Sequence, residues 1–203
     1  MKIAVIGASG NAGSRITAEL ARRGHQVTAI ARNPERIAAQ ANVAPAKGDA
    51  IDQAGLARLV TGHDVMISSV HFLASDPGKL IAAAKQAKVG RYLVVGGAGS
   101  LEVAPGVRLV TTPDFPVAYK AEAEAGAAFL DLLRAEAELN WTFLSPSALF
   151  VAGQRTGKFR LGTDLLLTAA DGKSSISFED FAVALADEIE RPVHIRRRFT
   201  VGY

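Results

Sequence analysis

The clearest chemical signal in the chain is the stretch Gly7-Ala8-Ser9-Gly10-Asn11-Ala12-Gly13. It follows the apolar run Ile3-Ala4-Val5-Ile6 and leads into Arg15–Leu20, which reads as a helix. A buried strand, a glycine turn and a helix start together make an anion site, because free N–H groups and the helix dipole favour a phosphate there. Glycine allows the sharp turn and lets a pyrophosphate approach where a Cβ would block it. The spacing is G-x-x-G-x-x-G. The flanking strand and helix raise it above an ordinary structural turn and point to nucleotide binding.

The end of the second strand discriminates between dinucleotides. An acidic residue there suits the ribose hydroxyls of NAD, whereas an arginine accommodates the extra phosphate of NADP. The chain has Ala31-Arg32-Asn33 and no carboxylate until Glu35. NADP(H) is therefore expected over NAD(H), with Arg32 gripping the 2′-phosphate in a planar, bidentate fashion. Ser9 adds a hydroxyl donor on the same side, and Asn33 belongs to the same stretch; the alternative for Arg32 is a solvated strand-end arginine. In Gly48-Asp49-Ala50, Asp49 either accepts the adenine amino group or starts a turn. Ser68-Ser69-Val70-His71 is expected over the ribose and nicotinamide. His71 there reads as a proton donor, a substrate contact or a plain surface histidine. His25, His63 and His194 lie far apart with no ligand-like spacing, so no metal site is indicated.

Composition bounds the rest. A length of 203 residues with 49% hydrophobic content suits one domain, 1–203, with a substantial core. A net charge of +3 is too mild to imply nucleic acid, and the absence of cysteine excludes disulfides, thiolate metal sites and cysteine nucleophiles. No apolar stretch reaches membrane-spanning length and no signal peptide is evident, so a cytoplasmic protein without a membrane partner is expected.

The elements that must position these residues follow from periodicity. The first helix runs to about Arg23 before Gly24, and Gln26–Ile30 is a second strand. Asn33-Pro34 opens a second helix, Val43–Lys47 is a weak third strand, and Asp52 to about Val60 is a helix. Asp64–Ser68 is a strand, Pro77–Lys88 a helix, and Arg91–Val95 a strand ending in Gly96-Gly97-Ala98-Gly99. This βα alternation argues for an α/β fold, a doubly wound, mostly parallel Rossmann sheet with helices on both faces. Ser100–Pro116 reads as a long loop, either a lid or substrate wall or a tolerated excursion. A helix from about Ala118 buries Ala125, Ala128, Phe129, Leu132 and Leu133, and Trp141–Leu144 is a strand ending at Ser145-Pro146-Ser147. Glycines 153, 157, 162 and 172 punctuate small C-terminal β-hairpins around Lys158–Arg160 and Leu165–Thr168. Ser177-Phe178-Glu179-Asp180 caps a final helix, and Arg197–Val201 is a last strand.

Taken together, Ile3–Gly13, Ala31-Arg32-Asn33-Pro34, Gly48-Asp49, Trp141–Pro146 and Ile176–Ala182 resemble the atypical short-chain dehydrogenase/reductase group of NAD(P)-binding proteins. Within it the chain is most similar to the NADH-flavin reductases related to flavin/biliverdin-IXβ reductase. The resemblance implies cofactor contact by Gly7, Ser9, Gly10, Asn11, Ala12 and Gly13, with Arg32 at the adenosine phosphate. It also implies that Gly96, Gly97 and Ala98 pass under the nicotinamide ribose and that Pro146 and Ser147 approach the carboxamide. With Asn33, Asp49, Ala50, Ser68, Ser69, Val70 and Lys120, these residues make up the expected cofactor site.

The departures from the orthodox family matter equally. Its Tyr-x-x-x-Lys places phenol and ammonium one turn apart on one helical face. Here Tyr119 and Lys120 are adjacent, roughly 100° apart around a helix, and cannot form that pair. Lys120 either steadies a ribose or substrate or is a solvated helix-start lysine. Hydride transfer from NADPH to a flavin fits this absence, because the cofactors carry the chemistry and the protein stacks two rings and excludes water. Phe72, Phe150 and the 100–116 loop are candidates for an apolar shelf; the alternative for each phenylalanine, and the one favoured by its type, is a place in the core. The alternative to a reductase is a non-catalytic NADP(H)-sensing regulator of the NmrA type. A nucleic-acid role for Arg196-Arg197-Arg198 is disfavoured, since three arginines in a strand more often form a solvated edge.

Overall fold

The computed structural model describes residues 1–203, and strands and helices alternate through its first half. In chain order the elements are β1 (Lys2–Ile6), α1 (Asn11–Arg22), β2 (Gln26–Ala31), β3 (Val43–Lys47), α2 (Gln53–Val60), β4 (Val65–Ser68), α3 (Pro77–Gln86) and β5 (Arg91–Val95). There follow β6 (Glu102–Ala104), β7 (Val107–Arg108), α4 (Val117–Arg134), β8 (Trp141–Pro146), β9 (Leu149–Val151), β10 (Arg160–Gly162), β11 (Ser175–Ser177), α5 (Phe178–Glu190) and β12 (Arg197–Gly202). The main sheet has the order β10-β12-β8-β5-β4-β1-β2-β3, parallel throughout except for the β10–β12 pair.

The parallel strands are apolar on both faces because both faces are covered. On one side Ile3, Val5 and Ile67 pack with Ile16 and Leu20 of α1 and with Phe181, Leu185 and Ile189 of α5. On the other, Ala4, Ile6 and Met66 pack with Leu56, Leu80 and Phe129 from α2, α3 and α4. This is the doubly wound arrangement that the βα alternation calls for. Side-chain caps fix three helix starts: Asp52 accepts from Gly55 N–H, Asp76 from Lys79 N–H, and Ser177 from Asp180 N–H.

Four expectations are corrected. The helix after Asn33-Pro34 is only a 3-10 turn, Pro34–Arg36, with no buried residue; without an apolar face a short helix does not repay its nucleation. On α4 the buried face is Gly126, Ala127, Phe129, Leu130 and Leu133, whereas Leu132 and Ala128 are exposed. The arginine-bearing β12 is not a sheet edge: it lies between β8 and β10, and Arg198 is buried against Asp164. The short late strands pair over long sequence distances rather than as local hairpins. β9 pairs in parallel with β11, and β10 antiparallel with β12.

Candidate active site

The order of the strands reverses at β1, whose neighbours are β2 on one side and β4 on the other. In open α/β sheets the crevice beyond the strand ends at such a point is where ligands bind. A cleft of about 420 Å³ opens there, within the size range of small-molecule sites.

Its phosphate end is made of backbone. Gly7 has φ +82, a left-handed conformation, and a Cβ on it would lie 2.1 Å from the Ser69 carbonyl oxygen. Gly7 and Ala8 N–H both donate to Ile30 O, at 2.9 and 3.1 Å, and Gly10 N–H donates to Gly7 O at 3.0 Å. A Cβ on Gly13 would lie 2.2 Å from Gly7 O, so glycine is what lets α1 close onto the loop. No side chain caps α1 and no acidic residue sits in its first turn. Its leading N–H groups therefore face the cleft without a competing anion, and the cradle fits a pyrophosphate.

Most of the expected cofactor residues gather along this cleft. Gly7, Ser9, Gly10, Asn11 and Ala12 line one wall, Arg32, Asp49 and Ala50 the end beyond β2 and β3, and Ser69, Val70 and Gly96 the floor between β4 and β5. Arg32 is exposed and forms neither an ion pair nor a hydrogen bond within the chain, leaving its guanidinium free for an anion. Asp49 Oδ1 accepts from Ile51 N–H at 3.2 Å, the turn-forming arrangement, while its side chain still borders the cleft.

The other expected residues stand apart from the lining. Ser68 Oγ is buried against Tyr92 OH at 2.9 Å, and burial pushes the Tyr92 phenol far above its ordinary range, Ser68 opposing. Pro146 and Ser147 are both buried outside the lining, and Ser147 Oγ donates to Val201 O at 3.0 Å. Gly13 serves the packing of loop on helix; Asn33, Gly97 and Ala98 lie beyond the lining, and Lys120 is exposed outside it. Tyr119 is likewise exposed and off the cleft. The 100–116 segment contributes no wall either; it folds as the β6–β7 hairpin, tied to α4 by Arg108–Asp131 at 2.9 Å.

The far end of the cleft is built from side chains, two of which the sequence reading did not single out for the site. One is Glu122, on the cleft-facing side of α4, whose Oε1 accepts from Phe72 N–H at 2.7 Å and Oε2 from Leu73 N–H at 3.0 Å. Its Oε1 also meets His71 Nδ1 at 3.3 Å. The signal was present: Glu122, Gly126, Phe129 and Leu133 share one helical face. The other is Phe178, at the first position of α5, whose ring centroid lies 4.5 Å from that of Phe150 across the top of β9 and β11. Phe72 lines the cleft rather than lying wholly in the core, its ring against Gly126 and edge-on to Phe129 at 6.2 Å.

After β9, residues 152–158 form an irregular strap held by charged side chains. Arg155 reaches Glu19 of α1 at 2.8 Å, and Asp180 accepts from Thr156 N–H, Thr156 Oγ1 and Gly157 N–H. Glu19 is buried among Arg155, Arg22 and Arg23. Burial alone would raise its carboxyl, but the three guanidinium groups outweigh that and hold it far below the usual carboxylate range.

Residues 7–192 match the model of the NAD(P)H-binding family. An uncharacterized Bacillus subtilis (strain 168) protein, YwnB, is 41% identical over 216 residues, spanning 99% of this chain and 98% of its own. A crystal structure described as a "putative exported protein" from Burkholderia pseudomallei is 46% identical with a TM-score of 0.90, all of both chains being covered. Another, described as a "putative NADH-flavin reductase" from Streptococcus pneumoniae TIGR4, is 40% identical with a TM-score of 0.86, covering 100% of this chain and 99% of that one.

Proposed function

The chain belongs to the NAD(P)H-binding family, and we propose that within it this protein is an NADPH-dependent reductase of a flavin or a similarly flat acceptor. One observation carries the reading: a single cleft joins an anion cradle and an unpaired Arg32 to an aromatic far end, with no tyrosine–lysine pair between them. The bound dinucleotide supplies the hydride. The helix N-terminus of α1 holds the pyrophosphate, and Arg32 holds a 2′-phosphate by charge-assisted bonds that NADH lacks.

The rest of the task is geometric. Phe72, Phe150 and Phe178 offer apolar surface on which a flat ring stacks and from which water is displaced. Carbonyl reduction of the orthodox kind needs a phenol at the substrate oxygen with an ammonium beside it. On the corresponding helix this chain sends Tyr119 to solvent and presents the carboxylate of Glu122 to the cleft. The acceptor is therefore one whose own ring system takes up the electron pair. The 40% identity to a protein described as a "putative NADH-flavin reductase" supports the flavin class.

Mixing purified protein with NADPH and riboflavin, FMN or a quinone and following the loss of dihydronicotinamide absorbance tests the proposal. Turnover well above the uncatalysed rate with at least one acceptor is expected. NADPH binding without turnover across the series sinks it in favour of a dinucleotide-sensing regulator.

A further inference from the structure

The His71–Glu122 contact lies in the cleft opposite the glycine loop, and the reductase reading gives it no work. Glu122 is half-buried and fully engaged: two backbone N–H groups of the turn after β4 and the imidazole of His71 share its two oxygens. The carboxylate thus fixes the path of the backbone at Phe72 and Leu73 and, through Nδ1, the orientation of the ring. With Nδ1–H directed at Glu122, the donor left for a ligand is Nε2. The His71 side chain is 88% exposed and borders the cleft, so a proton given up there is replaced from water. Glu122 is its only ion-pair partner; within its own turn, Ser75 Oγ donates to its carbonyl, and no other charged side chain bonds the ring.

We propose that His71 is the catalytic acid of the reductive step and that Glu122 is the residue that positions it. The proposal rests on the reductase reading. An acceptor that gains two electrons and one hydrogen as hydride is left with excess negative charge on a ring nitrogen or oxygen. His71 Nε2–H delivers the second hydrogen to that atom as a proton, the imidazolium becomes neutral imidazole, and solvent water restores it. The acceptor is thereby reduced by two electrons and two hydrogens; the nicotinamide takes on one positive charge as the imidazolium loses one, and one proton is drawn from solvent per turnover. A carboxylate–imidazole pair here takes over the proton delivery that a tyrosine performs in orthodox relatives, from a different element and onto a different class of acceptor.

The test compares the native protein with His71→Gln, His71→Ala and Glu122→Gln. Unlabelled riboflavin is first titrated into NADP+-saturated protein, with the four histidine rings followed by NMR. The His71 resonance, identified by its loss in His71→Gln, shifts while those of His25, His63 and His194 stay put. Steady-state rates against pH are measured next. In His71→Gln, kcat falls by about 10-fold, less than for an enclosed acid because water substitutes in part. The alkaline fall of the native profile disappears, and the affinity for NADPH stays within about 2-fold. Glu122→Gln gives a smaller loss with the alkaline limb retained. An unmoved His71 resonance, or an unchanged pH profile in His71→Gln while the native protein turns over, overturns this role and leaves the reductase reading standing. No turnover in the native protein overturns both.

Discussion

At the Gly7–Gly13 end of the cleft the wall is backbone, fixed by bonds to β2, by contacts within seven residues of sequence and by the close approach of the Ser69 carbonyl after β4. At the Phe72 end it is side chains, held by Glu122 from α4, by Gly126 beneath the ring, and by Phe178 from a helix that begins 28 positions after Phe150. Backbone geometry of the first kind tolerates almost no change, since a misplaced carbonyl cannot rotate away. Walls of the second kind yield by rotamer shifts. The difference teaches where specificity is free to vary: a fixed dinucleotide cradle beside an adaptable aromatic wall, the one on which the proposed acceptor would rest.

The largest effect is expected where the backbone wall is attacked. A Cβ on Gly13 meets Gly7 O at 2.2 Å and Ala8 Cα at 3.2 Å, neither of which is the end of a flexible side chain. Gly13→Val should lower NADPH affinity by more than about 100-fold and cost about 1–3 kcal/mol of stability through overpacking. Fluorescence titration and chemical denaturation read the two losses separately. Near-native binding by a stably folded Gly13→Val would break the contrast at its rigid side.

Next comes the charged anchor that ties the 152–158 strap to α1. Removing the buried Glu19 carboxylate leaves Arg22, Arg23 and Arg155 facing one another, so Glu19→Ala should destabilise the fold by about 3–5 kcal/mol. The sign with pH follows from the depressed carboxyl. Its stabilisation is fully present above the unfolded glutamate pKa of about 4.3, and falls away as pH drops from there toward the lower folded value. Urea denaturation at pH 7 and pH 3.5 should therefore give a smaller gap between native and Glu19→Ala at the acid end. A gap independent of pH would remove Glu19 from the account of how the strap is held.

At the adenosine end, Arg32→Ala should weaken NADPH binding by about 10- to 100-fold, the worth of one or two charge-assisted bonds, and leave NADH affinity nearly unchanged. Parallel titrations with the two dinucleotides decide this, and equal affinities in both proteins would remove Arg32 from the 2′-phosphate.

The same contrast accounts for what could be read from sequence. The glycine turn, the place of Arg32 at the end of β2, the βα alternation and the Ser177 cap depend on local spacing, and each was legible. The turn at Pro34 was not, because a proline start looks alike whether or not an apolar face follows. Phe178 was read only as part of a capping box, since its pairing with Phe150 arises from β9 lying beside β11, which no local pattern specifies. The interior place of β12 was hidden for the same reason: Arg198 is tolerated there only because Asp164, 34 residues earlier, meets it. Glu122 lay within reach, as an acid on the stripe that also carries Phe129 and Leu133.

The smallest effect is expected at the yielding wall, where it is also most diagnostic. A Cβ on Gly126 meets the Phe72 ring at 2.6 Å, and the ring, half-buried at the edge of the cleft, can turn outward. Gly126 lies within α4, where a β-branched residue carries less backbone entropy cost than glycine, so part of the strain is offset. Gly126→Val should leave NADPH affinity within about 2-fold and cost no more than about 1–2 kcal/mol of stability. The KM for the acceptor should rise by about 5-fold, because the face on which the flat ring rests has moved while the cradle has not. A rise in KM for NADPH instead would mean that the two ends of the cleft are mechanically coupled through β4, Ser69 and the Gly7 turn. Unchanged constants for both ligands would place the acceptor away from Phe72, on the Phe150–Phe178 side of the cleft.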